Sequence, residues 1–195
     1  MQTPARTNKN RKLLHGLRLL QKNSLSSAVG DSLRYSSFKA IIFALFLMLL
    51  YIAFRFQFAF AFGAVMALAH DALTVLAVFL LINREISIDV VGAILAVLGY
   101  SINDTIVIFA QIKKNLKAMK GKPLAFIVDT SINQTMKRTI LTSVSTAIVV
   151  GSMFVFGGES IRSLSLAILL GVIFGTYSSV FIASSIMMYF YKEEK

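Results

Sequence analysis

The chain has 195 residues, of which 56% are hydrophobic, and a mean hydropathy of +0.74. An ordinary soluble domain is about 45–50% apolar, so this composition indicates a membrane protein with several spans. The chain has no cysteine, which excludes disulfides, iron–sulfur clusters and thiolate zinc sites. It has two histidines, too few to favour a multi-histidine metal site. The net charge of +11 would suggest nucleic acid as the partner of a soluble protein. In a membrane protein basic residues set topology, so we expect contact with lipid and no nucleic acid.

Residues 1–36 form a polar, basic N-terminal tail. Within it, four leucines fall at helical spacing opposite three basic residues, which is compatible with a short amphipathic helix on anionic lipid. A mostly disordered basic tail is the alternative, and the sequence leaves both open. No cleavable signal peptide is evident, because the first apolar run begins near Phe38 and no small-residue cleavage site follows it.

Five apolar stretches follow, each long enough to cross a bilayer as a helix, which takes about 17–25 residues. They cover about 37–54, 58–82, 90–112, 137–156 and 161–191, before a C-terminal tail of 192–195. Hydrocarbon offers the backbone no water to bond, so helix is the expected state. The predicted fold class is an all-α membrane protein, a bundle of about five transmembrane helices over residues 37–191.

Basic residues set the predicted orientation of this bundle. Five lysines lie between Lys113 and Lys122, which makes 113–136 a cytoplasmic basic loop, with 124–136 as an interfacial helix. Five spans then place the C-terminus inside and the N-terminus outside, although the basic tail favours the inside. A sixth span upstream of this chain would remove the conflict, and we favour that interpretation.

Polar residues inside the spans mark the candidate site. Asp104, next to Asn103, lies in the middle of the third span, where a charge costs roughly 2.5–3.5 kcal/mol and needs a partner, water or a function. Polar residues at three- and four-residue steps predict a stripe on the fourth helix that faces the bundle interior: Thr135, Arg138, Thr139, Thr142, Ser145 and Thr146. We expect Arg138 to reach toward Asp104. Burial favours a neutral carboxyl and a guanidinium favours a charged one, so the pair suits reversible protonation; a static buried salt bridge is the alternative.

Two further features lie in the second and fifth spans. His70 and Asp71 form either a second titrating site or a helix–helix hydrogen bond worth about 0.6 kcal/mol, and we favour the structural interpretation. Gly171 and Gly175 form a small-residue motif that lets two helices approach closely. No phosphate-binding glycine loop, nucleophile elbow or zinc-protease motif occurs. We therefore expect no enzyme and no cofactor, with energy supplied by an ion gradient.

Four blocks of sequence, in order, closely resemble the SecF family, the smaller membrane subunits of the bacterial SecD–SecF export factor in the resistance-nodulation-division (RND) superfamily. They are residues 68–71 with the His-Asp pair, 99–107 (Gly-Tyr-Ser-Ile-Asn-Asp-Thr-Ile-Val), 131–143, and 156–158 with 171–179. The resemblance covers roughly residues 27–190 and implies an RND-like, multi-pass bundle in the bacterial cytoplasmic (inner) membrane.

The resemblance also implies a function in protein translocation through the Sec pathway. SecF-like chains work with SecD and the SecYEG channel, with YajC as an optional further partner, and use the proton-motive force to assist translocation of unfolded polypeptide. Asp104 matches the family's proton-relay aspartate and Arg138 its arginine partner, with Asn103, His70, Asp71 and Thr142 as supporting polar residues. Sodium is an alternative coupling ion. The rival functions are a fragment of an RND-type small-molecule transporter and a purely structural subunit that stabilises SecD.

The sequence departs from the family pattern in two places. The family's first helix and periplasmic domain have no counterpart before the first span, so we expect a natural short form, a fragment of a longer or fused SecD–SecF protein, or a late start. The family often continues its third block with Phe-Asp-Arg-Ile-Arg-Glu-Asn, whereas residues 109–115 read Phe-Ala-Gln-Ile-Lys-Lys-Asn. We therefore transfer no role to Ala110 or Gln111.

Overall fold

The computed structural model describes residues 35–84 and 86–191, and the secondary structure of this part is helical. Its helices are α1 (Tyr35–Arg55), α2 (Phe58–Leu81), α3 (Ile88–Ala118), α4 (Leu124–Phe156), α5 (Glu159–Tyr177) and α6 (Ser184–Phe190), with a π-helical segment (Ser178–Ala183) joining the last two. Five spans are long and apolar enough to cross a membrane, the fifth being Ile161–Phe190. The predicted fold class is confirmed. The predictions for residues 1–34 and 192–195 lie outside the described residues.

Helix α4 is longer than the sequence predicts. We expected a span from Lys137 behind a separate helix over 124–136, but one unbroken helix begins at Leu124. Gly121, at a φ of +85°, and Pro123 both fall in the connection 119–123, so neither glycine nor proline interrupts α4 between Leu124 and Arg138. At 1.5 Å per residue, α3 and α4 are about 46 and 50 Å long, more than the hydrocarbon thickness of about 30 Å.

The chain divides into two compact units, residues 1–40 and 41–195. The described part of the first, residues 35–40, is helical. In the second, α3 is the central helix: half of its most apolar window is buried, against 11% for α4.

Two apolar clusters fill the second unit. One contains Phe60, Phe109 and Met187, and the other contains Leu68, Phe79 and Ile94 together with other residues of α2, α3 and α5. Along α3 the second cluster ends at Leu98 and the first becomes fully buried at Ile108. The part of α3 between them is lined with buried polar side chains, and this is where the candidate site lies.

Candidate functional site

The middle of α3 carries a buried polar face. Ser101, Asp104 and Thr105 are 1%, 5% and 1% exposed, and steps of three and four residues place them on one side of the helix. Asn103 lies on another side and is exposed. The predicted carboxylate is therefore inside the bundle, and its neighbour in sequence is not.

Asp71 of α2 is the second buried carboxylate and is 0% exposed. Ser101 Oγ donates a hydrogen bond of 2.6 Å to its Oδ2, and His70 Nδ1 lies 3.3 Å from its Oδ1. The predicted helix–helix hydrogen bond is thus present, and its donor belongs to the same face of α3 as Asp104.

The π-helical segment supplies hydroxyl groups to this face. Ser179 Oγ lies 2.9 Å from Thr105 Oγ1 and donates to the carbonyl oxygen of Ser101 at 3.2 Å. Both Ser178 and its neighbour Ser179 are fully buried, as the wide turn of a π helix allows. Such turns occur often at functional sites.

Helix α4 acts on the Asp104 carboxyl through the charge of Arg138 and, to a smaller extent, through the hydroxyl group of Ser143. Ser143 Oγ also lies 2.7 Å from Thr176 Oγ1 of α5. We call the resulting group the polar layer: Asp71, Ser101, Asp104, Thr105, Ser143, Thr176, Ser178 and Ser179.

The two glycines of α5 allow its close approach to α3. A Cβ atom at Gly171 would overlap both methyl groups of Val97, and one at Gly175 would lie 3.0 Å from Ser101 Oγ and 3.5 Å from Asp71 Oδ2. The predicted small-residue contact is confirmed. Gly175 packs directly on the Asp71–Ser101 pair.

The polar stripe of α4 faces the interior only in part. Arg138 and Ser145 are exposed, so the prediction that they face the interior is wrong; the buried polar positions follow four-residue steps at Ser131, Thr135, Thr139 and Ser143. No N–O distance of 4.0 Å or less joins Arg138 to Asp104 within the described ranges. Thr142 is half-buried and donates within its own helix, to the carbonyl oxygens of Arg138 and Thr139 at 3.0 Å each.

Ser101, Thr105 and Ser143 contribute to the layer but were not singled out from the sequence. The first two lie inside the 99–107 block, and Ser143 ends the 131–143 block. The signal for Ser143 was its register, four residues after Thr139. Thr139 Oγ1 is buried and has no hydrogen-bond partner in the part of the chain that the structure describes.

A separate cluster of amide side chains joins α3 and α4 nearer to their connection. Asn115 Nδ2 donates to Gln134 Oε1 and to Ser131 Oγ, both at 2.8 Å, and Gln111 Nε2 donates to Gln134 Oε1 at 2.7 Å. We call Gln111, Asn115, Ser131 and Gln134 the amide cluster. Gln111, to which the sequence assigned no role, therefore contributes to the contact between these helices.

Over residues 35–84 and 86–191, no three His, Asp or Glu side chains come together in a way that would hold a metal ion. The polar layer offers carboxyl and hydroxyl groups, which can bind and pass protons. Fold and site together define a multi-pass helical membrane protein with two carboxyl groups buried in the middle of its spans.

Comparison with known proteins identifies the family to which this membrane protein belongs. A family model described as "Protein export membrane protein SecD/SecF, C-terminal" matches residues 6–193, and the chain belongs to that family. Among its relatives, the SecF protein translocase subunit of Vibrio alginolyticus is 46% identical over 161 residues, and that of Koribacter versatilis is 45% identical over 160; each alignment covers 82% of this chain. These matches cover 51% and 40% of the two relatives, so the chain spans about half of their length or less.

The fold agrees with solved structures of the same family. The crystal structure of SecDF from Thermus thermophilus matches with a TM-score of 0.76 at 38% identity, over 78% of this chain and 21% of that one. A structure of SecDF in a "Super-membrane-facing form" matches with a TM-score of 0.71 at 40% identity, over 74% of this chain and 20% of that one.

Proposed function

We propose that this chain is the membrane part of a SecF-type subunit that works with SecD in the bacterial inner membrane and uses the proton-motive force to assist polypeptide translocation through SecYEG. Its family membership and its relatives, which are named as protein translocase subunits, support the assignment. The observation that carries the mechanism is Asp104, a carboxyl group at the centre of α3 with 5% of its surface exposed.

Proton binding at Asp104 removes the negative charge that acts on its neighbours. An ionised carboxylate in hydrocarbon is costly, and protonation removes that cost together with the attraction of Arg138. Arg138 is exposed and forms no close ion pair with Asp104 among the described residues, so its guanidinium is free to approach or withdraw as the charge of Asp104 changes.

The change reaches a second helix through one hydroxyl group. Ser143, whose hydroxyl group acts on the Asp104 carboxyl, lies 2.7 Å from Thr176 Oγ1 of α5, so the charge of Asp104 influences α4 and α5 together. Gly175, the residue before Thr176, packs on Asp71 and Ser101. Protonation of Asp104 therefore reaches α5, the helix that also contacts Asp71.

Export in cells depleted of their own SecF tests the proposal. The chain is supplied with its cognate SecD as the unchanged sequence, as Asp104→Asn, or as Asp129→Asn, an exposed aspartate on α4 that serves as the matched control. We expect the unchanged chain and Asp129→Asn to restore export of a secreted reporter at equal membrane levels. Asp104→Asn should leave export at the depleted level, because asparagine keeps the shape but cannot ionise.

Arg138→Gln and Lys137→Gln form a second matched pair, since both positions are exposed and adjacent. Only the loss of Arg138 should reduce export, because only Arg138 acts on Asp104. Full export by Asp104→Asn would instead favour the rival function of a structural subunit that stabilises SecD. No export from the unchanged chain would show that this membrane part does not suffice and that the working subunit needs a further region.

A further inference from the structure

Asp71 is more deeply buried than Asp104, and the proposed mechanism does not use it. Its side chain is 0% exposed in the middle of α2, and no lysine or arginine lies within 4.0 Å of its oxygens in the described part of the chain. An unpaired carboxylate at this depth is unfavourable, so either the carboxyl group holds a proton or a positive charge lies next to it.

The groups that face Asp71 are nearly all neutral. Helix α3 presents Ser101, α5 presents Gly175 and the π-helical segment presents Ser178, none of which is charged. His70, on the same helix, is the one titratable group whose charge acts on Asp71 among the described residues. Whatever charge balances this carboxyl is therefore carried by a proton on Asp71 or on His70.

The hydrogen bonds of His70 indicate which of its ring nitrogens can accept a proton from Asp71. Thr74 Oγ1 lies 2.8 Å from the carbonyl oxygen of His70, a contact that uses its single hydroxyl hydrogen. The contact of 3.4 Å between Thr74 Oγ1 and His70 Nε2 then needs its hydrogen from Nε2. With Nε2 protonated, Nδ1 of a neutral ring is an acceptor, and it faces Asp71 Oδ1 at 3.3 Å.

Two states of the pair satisfy these contacts, and each holds the same proton. In one, Asp71 is protonated at Oδ1 and donates to neutral His70. In the other, the O–H bond has broken and an N–H bond has formed at Nδ1, leaving a carboxylate beside an imidazolium. Both have zero net charge, whereas loss of the proton leaves one uncompensated negative charge in the bundle.

We propose that His70 and Asp71 form a second proton-binding site, which holds one exchangeable proton in the middle of the membrane. His70, whose side chain is 38% exposed while that of Asp71 is fully buried, is the group through which the proton enters and leaves. Ser101 connects this site to the face of α3 that carries Asp104. The use of this proton in export rests on the proposed function; its presence does not.

Infrared difference spectra of the purified, membrane-reconstituted chain test the site directly. Spectra are compared between about pH 9 and about pH 5, a range in which exposed carboxylates stay ionised. We expect the carbonyl band of protonated carboxyl groups to have two components. Asp71→Asn should remove one and Asp104→Asn the other, while Asp129→Asn removes neither. His70→Gln should shift the pH midpoint of the Asp71 component and leave that of Asp104 unchanged.

The proposal is overturned if the difference spectrum of Asp71→Asn matches that of the unchanged chain and the ¹⁵N signal of His70 Nδ1 is also constant over this pH range, because neither member of the pair then exchanges a proton. If Asp71→Asn does not fold, ¹⁵N spectra of the unchanged chain give the answer, with His15→Gln identifying the His70 signals. We expect the Nδ1 signal of His70 to move over the same pH range as the carboxyl component; a constant signal overturns the proposal. Neither readout involves export, so failure of this site and failure of the proposed function are distinguishable.

Discussion

Replacing Gly171 by alanine should separate α3 from α5. The added Cβ atom would overlap both methyl groups of Val97, and a helical valine strongly prefers one rotamer, so Val97 cannot easily rotate away. Overpacking of this kind costs about 1–3 kcal/mol. The higher helix propensity of alanine returns up to about 1 kcal/mol. We therefore expect Gly171→Ala to lower the free energy of unfolding by about 1–2 kcal/mol.

Gly92→Ala in α3 is the matched control, because no atom of the residues that the structure describes lies within 4 Å of a Cβ placed there. It removes the same backbone freedom without a clash and should be neutral or stabilising by up to about 1 kcal/mol. Reversible unfolding of the reconstituted chain in mixed micelles, with increasing denaturing detergent, measures both variants. The two should differ by about 1–3 kcal/mol.

Val97→Ala provides the decisive comparison, since it removes the methyl groups that the new Cβ atom would overlap. The double variant Gly171→Ala/Val97→Ala should be more stable than the sum of the single changes predicts, by about 0.5–3 kcal/mol. Additive effects, or equal unfolding of Gly171→Ala and Gly92→Ala, would refute the close contact of α3 and α5 on which the position of Gly175 against Asp71 depends.

Two further predictions use matched residues of one type. Asn115→Ala removes two hydrogen bonds between α3 and α4 and should lower the free energy of unfolding by about 1–2 kcal/mol. Asn103 lies on the exposed side of α3, so Asn103→Ala should change this free energy by less than about 0.5 kcal/mol. Ser143→Ala should lower the free energy of unfolding by about 0.6 kcal/mol because it breaks the bond to Thr176. Ser145→Ala should leave it unchanged because, among the described residues, Ser145 bonds only within its own helix. Equal effects within either pair in the same unfolding assay would contradict the assignment.

The presence of five spans was predictable because hydropathy and length decide it, although α3, expected to end at Ile112, continues to Ala118. Those expected at 58–82 and 161–191 agree with the observed Phe58–Leu81 and Ile161–Phe190 to within a residue at each end. The start of α4 was not predictable in this way. Lys137 and Arg138 end the apolar window, but charge does not end a helix that continues past the hydrocarbon, and the breakers Gly121 and Pro123 lie earlier in the chain.

The interior residues were harder to predict than the spans. Steps of three and four describe a broad stripe, and neighbouring helices decide which part of it is buried, so Arg138 was expected inside and Ser143 was overlooked. Gln134, the partner of Gln111, lies 23 residues away on another helix, and no local sequence pattern predicts such a pairing. Asp104 and Asp71 were found because a carboxylate in hydrocarbon is conspicuous by itself.

The length of α3 and α4 has a mechanical consequence. From Asp104 to Ala118 the helix extends for about 21 Å, and the amide cluster ties it to α4 along this stretch. Joined in this way, the two helices would tilt together, with the polar layer as the pivot. A tilt of about 10° there would carry the lysine-bearing end of α3 through about 4 Å.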